Sequence, residues 1–207
     1  MIAVIDYGVG NLFSLQASLG YIGAETKVTG RKEDIRKADK IILPGVGAFS
    51  DAMDKLQGTG LVEVIVEETG KGKPLLGICL GMQLLFRRSM EYGEHQGLGL
   101  IPGVVAPLAP ELAAVETGGE ALKVPHIGWN SLQINEDPLF KYVKDGEYVY
   151  YVHSFYGRDC SADTIATSDY GITVTGAVRR GSVYGTQFHP EKSGQTGLKI
   201  LQAFNEL

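Results

Sequence analysis

The chain has 207 residues, 44% of them hydrophobic and 21% charged, with a formal net charge of -5. That length suits one domain spanning residues 1–207 with a substantial core, and a mildly acidic chain has no basic excess for nucleic acid. No apolar run approaches the ~18 residues needed to cross a membrane, and Met1-Ile2-Ala3-Val4-Ile5-Asp6 reads as a strand rather than a leader, which predicts a cytoplasmic protein. The two cysteines, Cys79 and Cys160, lie outside CxxC or Cys/His ligand spacing, so neither a disulfide framework nor a metal site is expected.

In chain order, Ile2–Asp6 reads as a strand, Asn11–Ile22 as an amphipathic helix, Thr26–Thr29 as a strand, Lys32–Lys37 as a short helix and Lys40–Leu43 as a strand. Helical patterns cover Ala48–Leu56 and Leu61–Thr69, followed by a strand at Pro74–Cys79 and a helix from Leu80 to about Arg88. Mostly apolar strands alternating with helices predict an α/β fold, a largely parallel sheet with helices on both faces. After Gly93, Gly and Pro punctuate short β-like pieces at Val104–Leu108, Leu132–Ile134, Tyr148–Tyr156, Thr164–Ser168, Ile172–Arg179 and Val183–Phe188, the pattern of antiparallel additions. Ala109–Leu122, rich in Ala, Glu and Gly, reads as a mobile surface loop, and Gly194–Leu207 as an amphipathic helix packing back on the sheet.

Gly77-Ile78-Cys79-Leu80-Gly81 sets a cysteine in a G-x-C-x-G frame between a predicted strand and a predicted helix. This is the frame of a nucleophile elbow, where glycines leave room for a sharp turn and the side chain is pushed outward. A helix N-terminus favours thiolate over thiol, and its free N–H groups, Leu80 first, suit an oxyanion. A lone cysteine ordinarily fills core; the flanking glycines at this junction favour chemistry. Near the other end, Phe188-His189-Pro190-Glu191 places a carboxylate two residues from a histidine, on the same side if the stretch is extended. His189 can exchange a proton with the thiol while Glu191 fixes its tautomer, and Pro190 restrains the backbone between them. Without Cys79 this would read as a solvated turn. His95, His126 and His153 have no carboxylate so placed, and read as satisfied or substrate-facing histidines.

A dinucleotide site is a weaker reading: Gly8-Val9-Gly10 follows the first strand, but Phe13 occupies the third glycine position and no acidic residue ends the second strand near Val28. No cofactor is therefore expected. A cysteine peptidase, a γ-glutamyl hydrolase or an inactive binding protein with the same turn stay open on the residues alone.

GICLGMQ at Gly77–Gln83 and HPE at His189–Glu191 resemble the two signatures of the triad, or class I, glutamine amidotransferases. DYGVGNL at Asp6–Leu12, LPGVGAF at Leu43–Phe49, GLGLIPG at Gly97–Gly103, PHIGWN at Pro125–Asn130, YYVHSFY at Tyr150–Tyr156 and FHPEKS at Phe188–Ser193 extend the likeness to the glutaminase subunits of imidazole glycerol phosphate synthases. The resemblance implies Cys79 as nucleophile, His189 as base and acid, Glu191 as orienter, and L-glutamine as substrate. It implies that Gln83 and Glu91 hold the amino-acid end of glutamine, with His153, Ser154 and Phe155 on a strand beside it. It also implies an obligate functional partner, a (β/α)8-barrel cyclase in a heterodimer, touched by Asn11, Trp129, Asn130 and Lys192. A solvated Lys192 and a core Trp129 are the plainer alternatives. Val46 and Gly47 are expected as the second oxyanion donors. Because a β-branched residue reaches positive φ only at a cost, the Val46–Gly47 peptide is expected to rest with its carbonyl toward the oxyanion position and to turn when the barrel is occupied.

Overall fold

Short β-branched and aliphatic runs, each bounded by Gly, Pro or a helix, lead the chain through a mixed α/β architecture in the computed structural model, which describes residues 1–115 and 122–207. The first half supplies β1 (Ile2–Ile5), α1 (Leu12–Tyr21), β2 (Thr26–Thr29), α2 (Lys32–Lys37), β3 (Lys40–Gly45), α3 (Phe49–Gly58), α4 (Leu61–Gly70), β4 (Leu75–Cys79) and α5 (Leu80–Leu84). There follow β5 (Phe86–Ser89), β6 (His95–Gln96), β7 (Ile101–Pro107), α6 (Leu108–Ala114), β8 (His126–Ser131), β9 (Gln133–Ile134), β10 (Tyr148–His153) and β11 (Phe155–Arg158). The chain closes with β12 (Thr164–Asp169), β13 (Thr173–Arg180), β14 (Val183–Thr186) and α7 (Gly194–Asn205).

The main sheet has the order β2-β1-β3-β4-β14-β13-β12-β9. Its strands from β2 to β14 run parallel and the last three are antiparallel additions. Side chains alternate across each strand, so Ala3, Ile5, Ile41 and Leu43 pack with Ile35, Phe49 and Ile65 of α2, α3 and α4 on one face. Ile2, Val4, Ile42 and Leu76 meet Leu15 and Leu19 of α1 and Ile200, Leu201 and Phe204 of α7 on the other. Two smaller sheets, β11-β7-β5-β6 and β10-β8, stand beside the carboxyl ends of the parallel strands and wall in the pocket described below.

Four expectations need correction. The helix after Cys79 stops at Leu84 instead of reaching Arg88, because the carbonyls of Leu84 and Phe86 accept from the Leu98 and Gly99 N–H groups at 2.8 and 3.1 Å and Phe86–Ser89 becomes β5. Ala109–Leu122 is not a loop throughout: α6 covers Leu108–Ala114, seated by buried Leu108 and by Glu111, whose carboxylate pairs with Arg158 at 2.8 Å. Residues 116–121 of that stretch lie outside the described residues. Tyr148–Tyr156 divides at Ser154, with β10 pairing with β8 and β11 with β7, so His153 and Phe155, two residues apart, join different sheets. The stretch after His189 is not extended but turns, as Pro190–Lys192 form one 3-10 turn.

Candidate active site

Cys79 occupies the junction of β4 and α5 with φ 54° and ψ -111°, a conformation L-residues resist. Glycine makes the turn possible. A Cβ on Gly81 would lie 1.9 Å from the Leu43 carbonyl oxygen, and one on Gly77 would lie 2.6 Å from that of Gly81. The sulfur is nearly buried and faces a pocket of about 400 Å3. Pairing of Gly45 with Cys79 brings the end of β3 alongside, so Val46 and Gly47 line the same pocket as Leu80. Val46 avoids the left-handed region altogether, and Gly47 carries the positive φ, at 96°. Among the described residues the N–H groups of Val46 and Gly47 have no protein acceptor.

His189 arrives on the neighbouring strand. β14 pairs in parallel with β4, Thr186 beside Ile78, so both chains leave the sheet at the same end. The His189 N–H donates to the Tyr150 carbonyl at 2.9 Å, and the 3-10 turn carries Glu191 back so that His189 Nδ1–H donates to Glu191 Oε1 at 2.7 Å. Ser193 braces the turn, donating from Oγ to the His189 carbonyl at 2.6 Å and accepting from the Tyr150 N–H at 2.9 Å. Burial of His189 works against its charged form, but the nearby Cys79 sulfur and the hydrogen-bonded Glu191 carboxylate outweigh it and raise the imidazole to about 9. With Nδ1 committed to Glu191, Nε2 is the nitrogen left to exchange a proton with the thiol.

Gln83, Glu91, His153, Ser154 and Phe155 all line this pocket, together with Lys192. Their hydrogen bonds limit what each can do. The Gln83 amide nitrogen donates to the Phe155 carbonyl and to Gln187 Oε1, both at 3.0 Å, which leaves its oxygen to accept from a ligand. One oxygen of Glu91 accepts from the Phe49 N–H at 2.6 Å, fixing the loop after β5 against α3. His153 has both ring nitrogens engaged within the protein, so it forms wall. Sequence reasoning misses Tyr92, Pro125 and Val152 on the lining, and Gln187, whose amide nitrogen lies 3.8 Å from the Cys79 sulfur. A signal for Gln187 does exist, since it stands two residues before His189 in the same β-like run.

Trp129 is 55% exposed and meets Tyr150 edge-on, while the Lys192 ammonium sits 6.0 Å from the centre of the Tyr150 ring. Asn11 caps α1 by accepting from the Ser14 N–H, and borders a small hollow shared with His189 and Glu191. Asn130 bonds to the Asp169 carbonyl at 2.8 Å and so is partly spent. No helix among the described residues is long and apolar enough to cross a membrane.

A family model described as glutamine amidotransferase class-I matches residues 3–206. The chain is 50% identical over 206 residues to a protein of Bacillus cereus named imidazole glycerol phosphate synthase subunit HisH, covering 99% of this chain and 93% of that one. It is 48% identical over 209 residues to the protein of that name from Syntrophotalea carbinolica, covering the whole of both. In fold it is similar to a crystal structure of a glutamine amidotransferase, with TM-score 0.73 at 18% identity over the whole of both chains. A chain in the structure of PurLQS from Thermotoga maritima gives 0.71 at 20% identity, over 98% of this chain and 96% of that one.

Proposed function

The chain belongs to the class-I glutamine amidotransferase family, and from that membership we propose that it hydrolyses glutamine to glutamate and ammonia at Cys79, as the glutaminase subunit of an imidazole glycerol phosphate synthase. The observation that carries the reading is the meeting of a cysteine held on a strained turn, a histidine raised by its neighbours and a carboxylate bonded to that histidine, on one pocket. The likeness in sequence to named HisH subunits over the full length supports the choice of synthase.

In this reading Cys79 gives its proton to His189 Nε2 and the sulfur attacks the side-chain amide carbon of glutamine. The carbonyl oxygen becomes an oxyanion facing the N–H groups of Leu80 and of Val46 or Gly47. His189 returns the proton to the amide nitrogen, the C–N bond breaks, and ammonia leaves a γ-glutamyl thioester. Water, deprotonated by the same imidazole, then releases glutamate and restores the thiol. Glu191 holds the imidazole in the tautomer that both steps need. The Gln83 oxygen and the second Glu91 oxygen suit the α-ammonium of the substrate, beside Ser154 and Phe155 on the pocket wall.

Ammonia released to water is largely protonated and loses its nucleophilicity, so the reaction calls for a second active site to receive it. We infer that this is a (β/α)8-barrel cyclase, which joins the ammonia to a ribulosyl formimino carboxamide ribotide and yields imidazole glycerol phosphate and aminoimidazole carboxamide ribotide. Exposed Trp129 and Lys192, with Asn11 and the rim of β8, form the face it would cover. Residues 1–207 act in this scheme as one cytoplasmic amidotransferase domain. Glutamine turnover by the purified complex, with and without cyclase ligand, tests the scheme. Full activity in the isolated chain would remove the partner dependence. Failure of a glutamine-like electrophile to label Cys79 would remove the chemistry.

A further inference from the structure

Five polar side chains and one backbone carbonyl take no chemical step in that scheme, yet they form one hydrogen-bonded chain ending at Cys79. Asn130 Nδ2 lies 3.4 Å from His126 Nε2, His126 Nδ1 lies 3.0 Å from His153 Nε2, and His153 Nδ1 lies 2.9 Å from the Phe155 carbonyl. That carbonyl also accepts from Gln83, whose amide nitrogen donates to Gln187 Oε1; Gln187 Nε2 in turn lies 3.8 Å from the Cys79 sulfur. His126, His153, Gln83 and Gln187 are all buried.

Every proton in the chain is determined. A carbonyl only accepts, so His153 carries its proton on Nδ1 and presents Nε2 as acceptor. His126 must then donate from Nδ1 and accept at Nε2. Asn130 supplies that donor while its oxygen accepts from the Ser131 N–H at 2.8 Å, which fixes its amide orientation. A second proton on either ring would set two donors against each other. Burial lowers His126 to about 4 and His153 to about 3, so both stay neutral near neutrality. His126 is clamped besides, stacked on Tyr151 at 4.6 Å and on Tyr170 at 3.9 Å between ring centres. Such a satisfied buried network costs little to keep and much to cut, because cutting it strands the remaining partners.

We propose that His126, His153 and Gln187 are positioning residues for the reaction at Cys79, acting as one chain in which Gln187 holds the sulfur and the two histidines hold the Phe155 carbonyl shared with Gln83. This rests on the glutamine-hydrolysing reading above. The unit, not each bond, sets where the sulfur and the substrate-facing oxygen of Gln83 stand.

The test is glutamine turnover by the complex of this chain with its cyclase partner, for His126→Phe, Gln187→Leu and the double variant. Phenylalanine keeps an aromatic ring between the two tyrosines and removes the ring nitrogens. Each single variant is expected to lose roughly tenfold in kcat, the scale of one buried hydrogen bond, with KM within about twofold. The double variant is expected to lose about as much as the worse single one, since parts of one unit are not additive. His126→Asn, which restores a donor near the Nδ1 position, is expected to recover most of the loss. Unchanged kcat in Gln187→Leu, a double variant whose loss is the product of the two, or a His126→Asn as impaired as His126→Phe would each overturn the proposal. If either single variant does not fold, Asn130→Ala takes its place as the cut at the far end of the chain, with the same expectations. A wild-type complex with no glutaminase activity would instead overturn the functional reading on which the proposal stands.

Discussion

At the end of β4 the backbone itself is bent, with Cys79 at φ 54° between two glycines that no larger residue can replace, whereas at the end of β14 the backbone is ordinary, with His189 at φ -98° and ψ 99°, and side chains do the holding. Cys79, the proposed nucleophile, is placed by sterics, which act through atoms with nowhere else to go. His189, the proposed base, is placed by hydrogen bonds to the Glu191 carboxylate and the Tyr150 carbonyl and from the Ser193 hydroxyl, and the two side-chain bonds can each be removed singly. A reaction that needs the sulfur fixed and the imidazole exchanging protons is served by that division. Covalent attack tolerates little displacement, while a base that turns slightly between thiol, leaving nitrogen and water can serve all three.

The largest effect should come from removing the sulfur without disturbing its turn. Cys79→Ser keeps the side chain's size and place, so thermal unfolding should be nearly unchanged while glutamine turnover in the complex falls on the order of 10^4-fold or more. Gly81→Ala makes the opposite cut. Its added methyl group would meet the Leu43 carbonyl, so α5 must leave β3. We expect a loss of about 3 kcal/mol or more in urea unfolding, with turnover lost alongside. If Gly81→Ala were stable and active, the steric account of the nucleophile would be wrong.

The same division explains what is legible in the sequence. Glycines at 77 and 81 around a cysteine, after an apolar strand, are a local signal, and local signals read well; so do the apolar runs expected as strands at Ile2–Asp6 and Lys40–Leu43, which form Ile2–Ile5 and Lys40–Gly45. His189 and Glu191 are legible as a pair of residue types, but the geometry joining them is not, because a proline after histidine suits both an extended run and the 3-10 turn the chain adopts. The helix after Cys79 reads too long in sequence since Leu84, Leu85 and Phe86 continue its apolar pattern, and only pairing with the distant Leu98 and Gly99 shows where it ends. The link of Gln187 and His126 to Cys79 escapes for the same reason. Their meaning lies in partners far along the chain, such as Cys79 for Gln187, 108 positions away.

Glu191→Gln should have an intermediate effect and report on the side-chain half of the comparison. The amide keeps the shape and still accepts from Nδ1–H, but removes the charge that steadies the imidazolium, so turnover should fall roughly 10^2- to 10^4-fold with the fold intact. The imidazole should titrate below its present value of about 9 and closer to 6.5, read by histidine NMR. The sign for stability follows from the raised value. The imidazolium's contribution is complete below 6.5 and is lost as pH climbs through about 9, so unfolding free energy should decline across that window more steeply in the wild type than in Glu191→Gln. Equal slopes would mean that Glu191 orients His189 without stabilising its charge.

The smallest effect tests the backbone half alone. Glycine in place of alanine usually destabilises a protein, because the unfolded chain gains freedom. At position 79 the order should invert. Alanine would still carry a Cβ into φ 54°, whereas glycine adopts that region freely, so Cys79→Gly should be more stable than Cys79→Ala by about 1 kcal/mol in urea unfolding. Both variants lack the sulfur and neither should turn over glutamine, so the difference between them isolates what the bend costs. A Gly variant weaker than the Ala variant would mean that the turn is relaxed, and that the sulfur owes its place to Gln187 and the other side chains around it, as His189 does to its own.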